Sequence, residues 1–457
     1  MTSPAGDAPR SRRRGPRILA AAATLVAAVV VGLGGAAAVD LAAGSEADPT
    51  GSGTGTGTTE PTPSPDEATS PTTEPTPTDT SPTPTIPPVE PSTFTLVAAG
   101  DVLPHPTVLR FAAEAAAAEG RSGWDFSPLW AAMDPWVSGA DLALCHLEVP
   151  LVPDGVEPSG YPLFGSPTSL ATDLAEAGWD GCSTASNHAV DRGWTGVETT
   201  LDALDAAGLG HAGTARSAEE AAQPQLYVLD RGGRTVTVAQ IAATYGTNGM
   251  PIPEDAPWSV QLIDGADLVA RASAAREAGA DLVVASIHWG TEYADVPDAS
   301  QTALAAQLAA SGVVDLVIGN HPHVPQRIEL LDGGPDGAGM WVAYSLGNYI
   351  SNQDAKCCRP QTGTGLLLSA QVDVPAAGPA HVSSVEWTAV PGDRVGGQRI
   401  YALPDLEAGR IDTPLLTLSS DELARRRQMV LDVVGDPPER TDPPQPTGEP
   451  PTVVPRS

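Results

Sequence analysis

Cationic side chains are scarce in this chain. One lysine, Lys356, stands in 457 residues, and lysine and arginine together number 24 against 56 aspartates and glutamates. A net charge of −32 supplies no basic patch able to neutralise phosphates, so nucleic acid is excluded as a partner. The acidic balance suits a soluble exported domain, where like charge keeps copies apart. Cysteine is scarce too: four residues in a chain this long make no disulfide framework. Cys145 and Cys182 fall near the ends of two predicted strands and could pair in an oxidising compartment, whereas adjacent Cys357 and Cys358 would pair only with strain. None has structural-zinc spacing, which removes sulfur from the candidate metal ligands.

Uncharged length is concentrated in residues 18–39, enough to span a hydrocarbon core of about 30 Å as a helix. Residues 1–17 before it carry Arg10, Arg12, Arg13, Arg14 and Arg17, which predicts a cytoplasmic N-terminus and an exported remainder. Two readings of the span stay open. Its length favours an uncleaved membrane anchor, giving a single-pass protein of the cell membrane with an extracytoplasmic C-terminal domain. Its end, Gly34-Gly35-Ala36-Ala37-Ala38, resembles a signal-peptidase site, and cleavage there would give a secreted protein. Residues 40–92 are dominated by Thr, Pro, Ser, Gly and acids, which cannot bury enough apolar area to offset ordering entropy. They read as a disordered, semi-rigid spacer, and the Pro-rich residues 437–457 read as a disordered tail.

Residues 93–436 carry the pattern of a globular α/β domain. Apolar strand-like runs (FTLVAAGDV, ADLALCHLEVP, DGCSTASNH) alternate with Ala-rich helical segments at 106–119, 166–177 and 195–207. LYVLDRGGRTVTVAQI reads as a hairpin turning at Gly232-Gly233. Alternation resumes with DLVVASIHWG, a helix at 300–310, DLVIGNHPHV, and the strands RIELLD, MWVAYSLGNYI and GLLLSAQVDV, before a short helix at 420–434. Polar residues fall at the strand ends: Asp101, Glu148, Asn187 with His188, His288, and His321 with His323. Ligands of open α/β sheets bind just outside the carboxyl ends of strands, so these residues can converge from far apart in sequence.

Five of the eight histidines, His105, His188, His288, His321 and His323, sit at or just past such ends. Any one alone reads as a structural hydrogen-bonding residue. Five joined by Asp101, Glu148 and Asn187 make a cluster of imidazole nitrogen and carboxylate oxygen, the donors that suit Zn, Mn or Fe(II). Pro322 favours extended backbone at His321, which would put His321 and His323 on one side. A carboxylate bridging two such ions would let the cluster activate a nucleophile against an ester.

The ordered set GDVLPH, HLEVP, STASNHAVDRGWTGVETTLDAL, SIHWGTEY, VIGNHPHVPQRIEL and AYSLGNYI resembles the CapA family of poly-γ-glutamate capsule synthesis proteins, whose fold is similar to calcineurin-like metallophosphoesterases. The resemblance covers about residues 94–350, weakly to 388, and implies an αββα sandwich with two divalent transition metal ions. It implies that Asp101 and His323 ligate the first ion, that Glu148 bridges, and that Asn187, His288 and His321 complete the second. His188 would be a general acid, with Asp191 placed to orient it. Metallophosphoesterases open with Asp-x-His, while here His105 follows Asp101 at four positions and is the candidate imidazole there; Glu148 stands where those enzymes carry Asp. Trp289, Glu292, Tyr293, Gln326 and Asn348, with Ser345 and Gly347, are the expected pocket residues. The resemblance implies a role in making or anchoring a capsule or cell-envelope polymer, with that polymer and its synthesis machinery as partners. The alternatives are an exported metal-dependent phosphoesterase and a non-catalytic binding protein of the same fold.

Overall fold

The computed structural model describes residues 89–456. The basic N-terminus, the 18–39 span and nearly all of the 40–92 spacer lie outside the described residues. Among the described residues no helix is long and apolar enough to cross a membrane.

Alternation of apolar side chains along continuous strands gives each strand two buried faces, and the chain uses both. In the strand Ser92–Val102, Phe94, Leu96 and Ala98 point into one core while Val97 and Ala99 point into another. The strand Arg234–Thr244 divides likewise, with Val236 and Val238 on one side and Ala239 and Ile241 on the other. Phe94, Leu96, Val236, Val238, Leu282, Val284, Leu316 and Ile318 share one core, so two sheets pack face to face. Each sheet's outer face is covered by helices. Leu109 and Ala112 of Pro106–Ala118 and Leu170 and Leu174 of Ser169–Glu176 cover the first; Leu268 and Ala272 of Gly265–Glu277 and Leu304 and Leu308 of Ala299–Ser311 cover the second. Burying a side chain of this size contributes about 1.5–3 kcal/mol. The α/β class read from the sequence therefore holds.

The first sheet runs Arg399–Ile400, His381–Asp393, Thr364–Val374, Ser92–Val102, Leu142–Leu147, Gly181–Ser183, Gly210–Ala212, with Asn348–Ile350 pairing beside the end of Ser92–Val102. The second runs Ile328–Leu331, Met340–Ala343, Leu316–Asn320, Leu282–His288, Arg234–Thr244, Gln225–Arg231, Thr452–Val454. Ser92–Val102, Leu142–Leu147, Gly181–Ser183 and Gly210–Ala212 are mutually parallel, as are Arg234–Thr244, Leu282–His288, Leu316–Asn320 and Met340–Ala343. Each sheet thus gathers the carboxyl ends of four strands at one edge. Cys145 and Cys182 stand opposite each other in register and are joined by a disulfide.

Three expectations change. The run MWVAYSLGNYI is two strands in different sheets, because Gly347 (φ 65°) turns the chain and its carbonyl accepts from the Asp101 N–H at 2.9 Å. Gly100 makes that crossing possible, since a Cβ there would lie 1.8 Å from the Gly347 oxygen. Residues 245–281, given no element above, contain the helix Gly265–Glu277, capped by the Asp264 carboxylate accepting from the N–H groups of Ala266 and Asp267. The Pro-rich tail is folded rather than disordered. Pro437 accepts from the Trp387 indole, Thr447 bonds Asp141, Thr452–Val454 extends the second sheet, and Arg456 is buried against His211 and Thr214. Proline lacks an N–H but keeps its carbonyl, so a Pro-rich segment can be held by specific side-chain donors without regular structure.

Candidate metal centre

The two parallel edges face one another, and their strand ends deliver the polar residues into one place. Asp101 is the last residue but one of Ser92–Val102; His146 lies near the end of Leu142–Leu147 with Glu148 just beyond; Asn187 follows Gly181–Ser183. His288 is the last residue of Leu282–His288, and His321 and His323 follow Leu316–Asn320. All seven are buried. His321 and His323 have φ of 96° and 59°, not the extended backbone expected of His321, and left-handed backbone at non-glycine residues is strain held by its surroundings. Part of that hold is visible: the His321 N–H donates to Asp101 Oδ1 at 3.3 Å.

Two groups of potential ligands result: Asp101, His146 and His288, and Glu148, His321 and His323, the donor atoms within each group lying within 4.8 Å of one another. A hydrogen bond between His323 Nδ1 and Asp101 Oδ2, 2.9 Å, joins them. That bond assigns the proton to Nδ1 and leaves Nε2 facing Glu148 Oε1 at 3.8 Å. His288 Nε2 lies 3.9 Å from the same oxygen. A second chain of contacts runs from Ser183 Oγ to His146 Nδ1 (2.8 Å), from His146 Nε2 to His288 Nδ1 (2.9 Å), and from His288 Nε2 to Asn187 Oδ1 (3.0 Å).

The residues fit a divalent metal on three counts. Both oxygens of the fully buried Glu148 lack a hydrogen-bond partner, and so does His321 Nδ1, although buried polar atoms are normally satisfied. Burial, followed by neighbouring imidazoles, drives His288 well below its ordinary value and His321 down to about 3; burial brings His146 to about 4. These rings are neutral and keep lone pairs, as ligation requires. Burial also pushes Glu148 well above the carboxylate range, while on His323 burial is outweighed by Glu148 and Asp101, which raise it to about 9. The pocket is short of positive charge, and a cation relieves that deficit.

Beside the cluster lies a cavity of about 400 Å³, walled by His105, Tyr161, Phe164, His188, Tyr293 and His323 among others. His188 Nδ1 bonds Asp191 Oδ2 at 2.7 Å, and the same oxygen accepts from the Phe164 N–H at 2.7 Å, so the carboxylate is fixed and orients the ring. Phe164 also packs edge-on against His188 and His105. His105 belongs to neither ligand group. Its Nδ1 donates to Leu103 O at 3.0 Å and burial lowers it to about 4, which places it on the cavity wall instead of on a metal.

Of the expected pocket residues, Glu292 and Tyr293 line the cavity. Trp289 does not: its indole donates to Tyr344 O at 2.9 Å and stacks on that ring within the core. Gln326 is equally structural, accepting from Gln301 and donating to Ala294 O. Asn348 stands behind the cluster, its oxygen 3.1 Å from His323 Nδ1 and its nitrogen donating to His323 O and Thr362 O. Buried Ser345 uses its hydroxyl to accept from the Gly347 N–H. His146 was missed, although its spacing from Glu148 carries the signal, since residues two apart share a face of an extended strand. Tyr245 was missed without any such signal. It follows a strand as an aromatic, yet its ring lies 4.5 Å from that of His321.

A family model described as bacterial capsule synthesis protein PGA_cap matches residues 95–353. The chain is 30% identical over 210 residues to the PGA biosynthesis protein CapA of Bacillus subtilis, covering 44% of this chain and 52% of that one. It is 30% identical over 182 residues to the capsule biosynthesis protein CapA of Bacillus anthracis, covering 39% and 42%. A probable polyglutamine synthesis accessory protein of Mycobacterium tuberculosis is 26% identical over 230 residues, covering 48% and 57%. The chain thus spans about half the length of the curated relatives it matches. Among solved structures, a putative 5'-nucleotidase of Staphylococcus aureus is matched at TM-score 0.39 and 14% identity, covering 74% of this chain and 58% of that one. The NAD nucleotidase of Haemophilus influenzae is matched at TM-score 0.38 and 12% identity, covering 77% and 58%.

Proposed function

The chain belongs to the bacterial capsule synthesis protein family PGA_cap, and from that premise we propose that it serves the synthesis or anchoring of an anionic capsule or cell-envelope polymer of the poly-γ-glutamate type, through a dinuclear metal site in a metallophosphoesterase-like domain. The observation that carries the reading is Glu148: a fully buried carboxylate without a hydrogen-bond partner, surrounded by imidazoles, inside the residues that the family model matches. The layered arrangement of helices on two facing sheets, with the ligands at strand ends, supports the fold assignment. The proposed location is extracytoplasmic, with the 18–39 segment as anchor or cleaved signal, supported by the arginine-rich flank.

Asp101, His146 and His288 would hold one ion, and Glu148, His321 and His323 the other, with Asn187 Oδ1 beside His288 as a further oxygen donor. Divalent ions held there would supply Lewis-acid polarisation of a substrate oxygen and a nucleophile at neutral pH. The chain's own residues do the rest. Asp101 fixes the tautomer of His323; Asp191 fixes His188 and leaves Nε2 as the atom that can hand a proton to a leaving group in the cavity. That pairing favours hydrolysis over passive binding. No lysine or arginine is among the described residues that line this cavity; His323 is the cationic group on its wall, and bound metal would supply the rest of the positive charge that an anionic polymer needs.

Elemental analysis of purified protein tests the reading. Wild type is expected to retain one or two transition-metal ions per chain, and Glu148→Ala and His321→Ala each to lose most of them. Manganese-dependent turnover of a generic phosphodiester, absent in His188→Ala with metal content kept, tests the hydrolytic step. Unchanged metal in both ligand variants overturns the proposal.

A further inference from the structure

The four cysteines of the chain are arranged in two pairs, and only one pair is joined. Cys357 and Cys358 lie in the 351–363 loop at the rim of the cavity, with their sulfurs 2.6 Å apart. Cys357 is exposed and Cys358 half-buried. The loop is tied to the cavity wall at His105, which Ser351 and Asn352 reach, and at Tyr293. The Cys358 thiol is close enough to the Tyr293 phenol to make it hold its proton more tightly, Gln353 Nε2 lies 3.5 Å from the phenol oxygen, and the Arg359 guanidinium donates to Tyr293 O at 2.7 Å. Tyr293 holds a left-handed backbone (φ 65°), its N–H donating to Pro322 O, and its ring lies 6.0 Å from that of His323. A change at the sulfurs therefore has a short mechanical route to the cavity.

We propose that Cys357 and Cys358 are a reversible redox site, closing to a vicinal disulfide by exchange with a small-molecule disulfide, and that Tyr293 carries the state of the pair to the cavity rim. Consecutive Cα atoms are about 3.8 Å apart across a trans peptide, below the usual range for disulfides, so the closed form is strained and readily reduced. That suits a reversible pair and sets it apart from Cys145–Cys182, whose Cα atoms are 4.4 Å apart on neighbouring strands. Burial, then the bond to Cys357, pushes the Cys358 thiol up to about 11, so exposed Cys357 is the sulfur that a reagent meets first. The Cys357 thiolate attacks R–S–S–R, forming a mixed disulfide and releasing R–S⁻, which takes up the proton that Cys357 gave up. Cys358, losing its own proton, attacks the Cys357 sulfur and expels the second R–SH. The protein is oxidised by two electrons, one R–S–S–R is reduced to two R–SH, and the phenol of Tyr293 loses a thiol partner.

The full chain is incubated with glutathione disulfide, quenched, unfolded and alkylated, and the peptide bearing residues 357 and 358 is weighed. Wild type should lose two hydrogens and accept no alkyl group there, then accept two after a brief mild thiol treatment that leaves Cys145–Cys182 intact. Cys357→Ser and Cys358→Ser should each keep a single alkylatable or glutathionylated sulfur. Acetylation of Tyr293 by N-acetylimidazole should run about threefold to tenfold faster in the closed form than in the reduced one, the range expected for loss of one hydrogen bond, with no such change in Cys358→Ser. Two freely alkylated or two glutathionylated sulfurs in treated wild type would overturn the site. Closure with unchanged Tyr293 reactivity would overturn the link to the cavity.

Discussion

Replacing Glu148 by Gln keeps the shape of the side chain and removes its charge, and the structure fixes opposing contributions to stability, one without metal and one with it. In metal-free protein Glu148 is buried and bonded to nothing, and burial forces it toward its protonated form, a penalty that the amide escapes; a Gln nitrogen could also donate to His321 Nδ1, which lacks a partner. An unsatisfied buried polar group costs about 1–3 kcal/mol. For a folded domain of about 370 residues the unfolding entropy is roughly 0.8 kcal/mol/K, so E148Q should melt about 1–4 °C above wild type in excess chelator. With manganese at about one hundred times its Kd, wild type gains about 2.7 kcal/mol for each ion, or 3–4 °C, while the variant gains little. The lead of E148Q in chelator is therefore cancelled or reversed by manganese. Calorimetry of both proteins with chelator and with manganese reads this directly. A variant that melts below wild type in chelator, and is raised equally by manganese, would show that Glu148 is satisfied by something other than an ion and would refute the assignment.

Removal of His146, the ligand absent from the sequence reading, should lower metal affinity tenfold or more, measured by titration with a competing chelator; retention of full affinity would return it to a core role. Trp289→Phe deletes the donor to Tyr344 O and should cost about 1–3 kcal/mol in denaturant unfolding while leaving metal content unchanged, which separates its packing role from the pocket role first expected. Burial, against the Ala143 N–H, pushes Asp180 up to about 7, above its unfolded value near 3.9. The folded state thus holds this proton more tightly, and the associated stability is full below about pH 4 and lost as pH rises through about 7. Asp180→Asn keeps an acceptor for Ala143 without titrating, so it should match wild type near pH 4 and exceed it by at most about 4 kcal/mol at pH 8. Parallel denaturation curves at the two pH values check this.

What was legible in the sequence is what local pattern dictates. The alternation of Phe94, Leu96 and Ala98 with Val97 and Ala99, and the Gly232-Gly233 turn, fix strands wherever they are later placed. The ligands at strand ends were legible for the same reason, since a polar residue closing an apolar run has to leave the core there. Partition between sheets was not legible. MWVAYSLGNYI reads as one strand, and only the close approach of Gly100 to Gly347 shows that Asn348 crosses to the first sheet and reaches His323. The positive φ of His321 and His323 was also hidden, because Pro322 argues locally for extended backbone and the bond to Asp101, 220 positions away, decides otherwise. Trp289 and Gln326 misled for the opposite reason. Polar atoms next to ligands look like pocket groups until the carbonyls that they satisfy in the core are known.

The charge of the chain and the geometry of its centre combine into one consequence for the proposed function. With a net charge of −32 and Glu292 at the cavity, an anionic polymer is repelled at long range and meets no lysine or arginine among the described lining residues. On the proposed function, ions held between the two sheets would supply the attraction at depth, added to that of His323 on the wall and of Arg359 beside Tyr293. Metal and polymer binding are then linked: each must raise the affinity for the other by the same factor, because the coupling free energy belongs to the pair and not to either partner. A domain built this way gains specificity from its acidity. On the proposed function, anions lacking a group that can reach the buried ions would be turned away, and a polymer end small enough to enter a cavity of about 400 Å³ would be admitted.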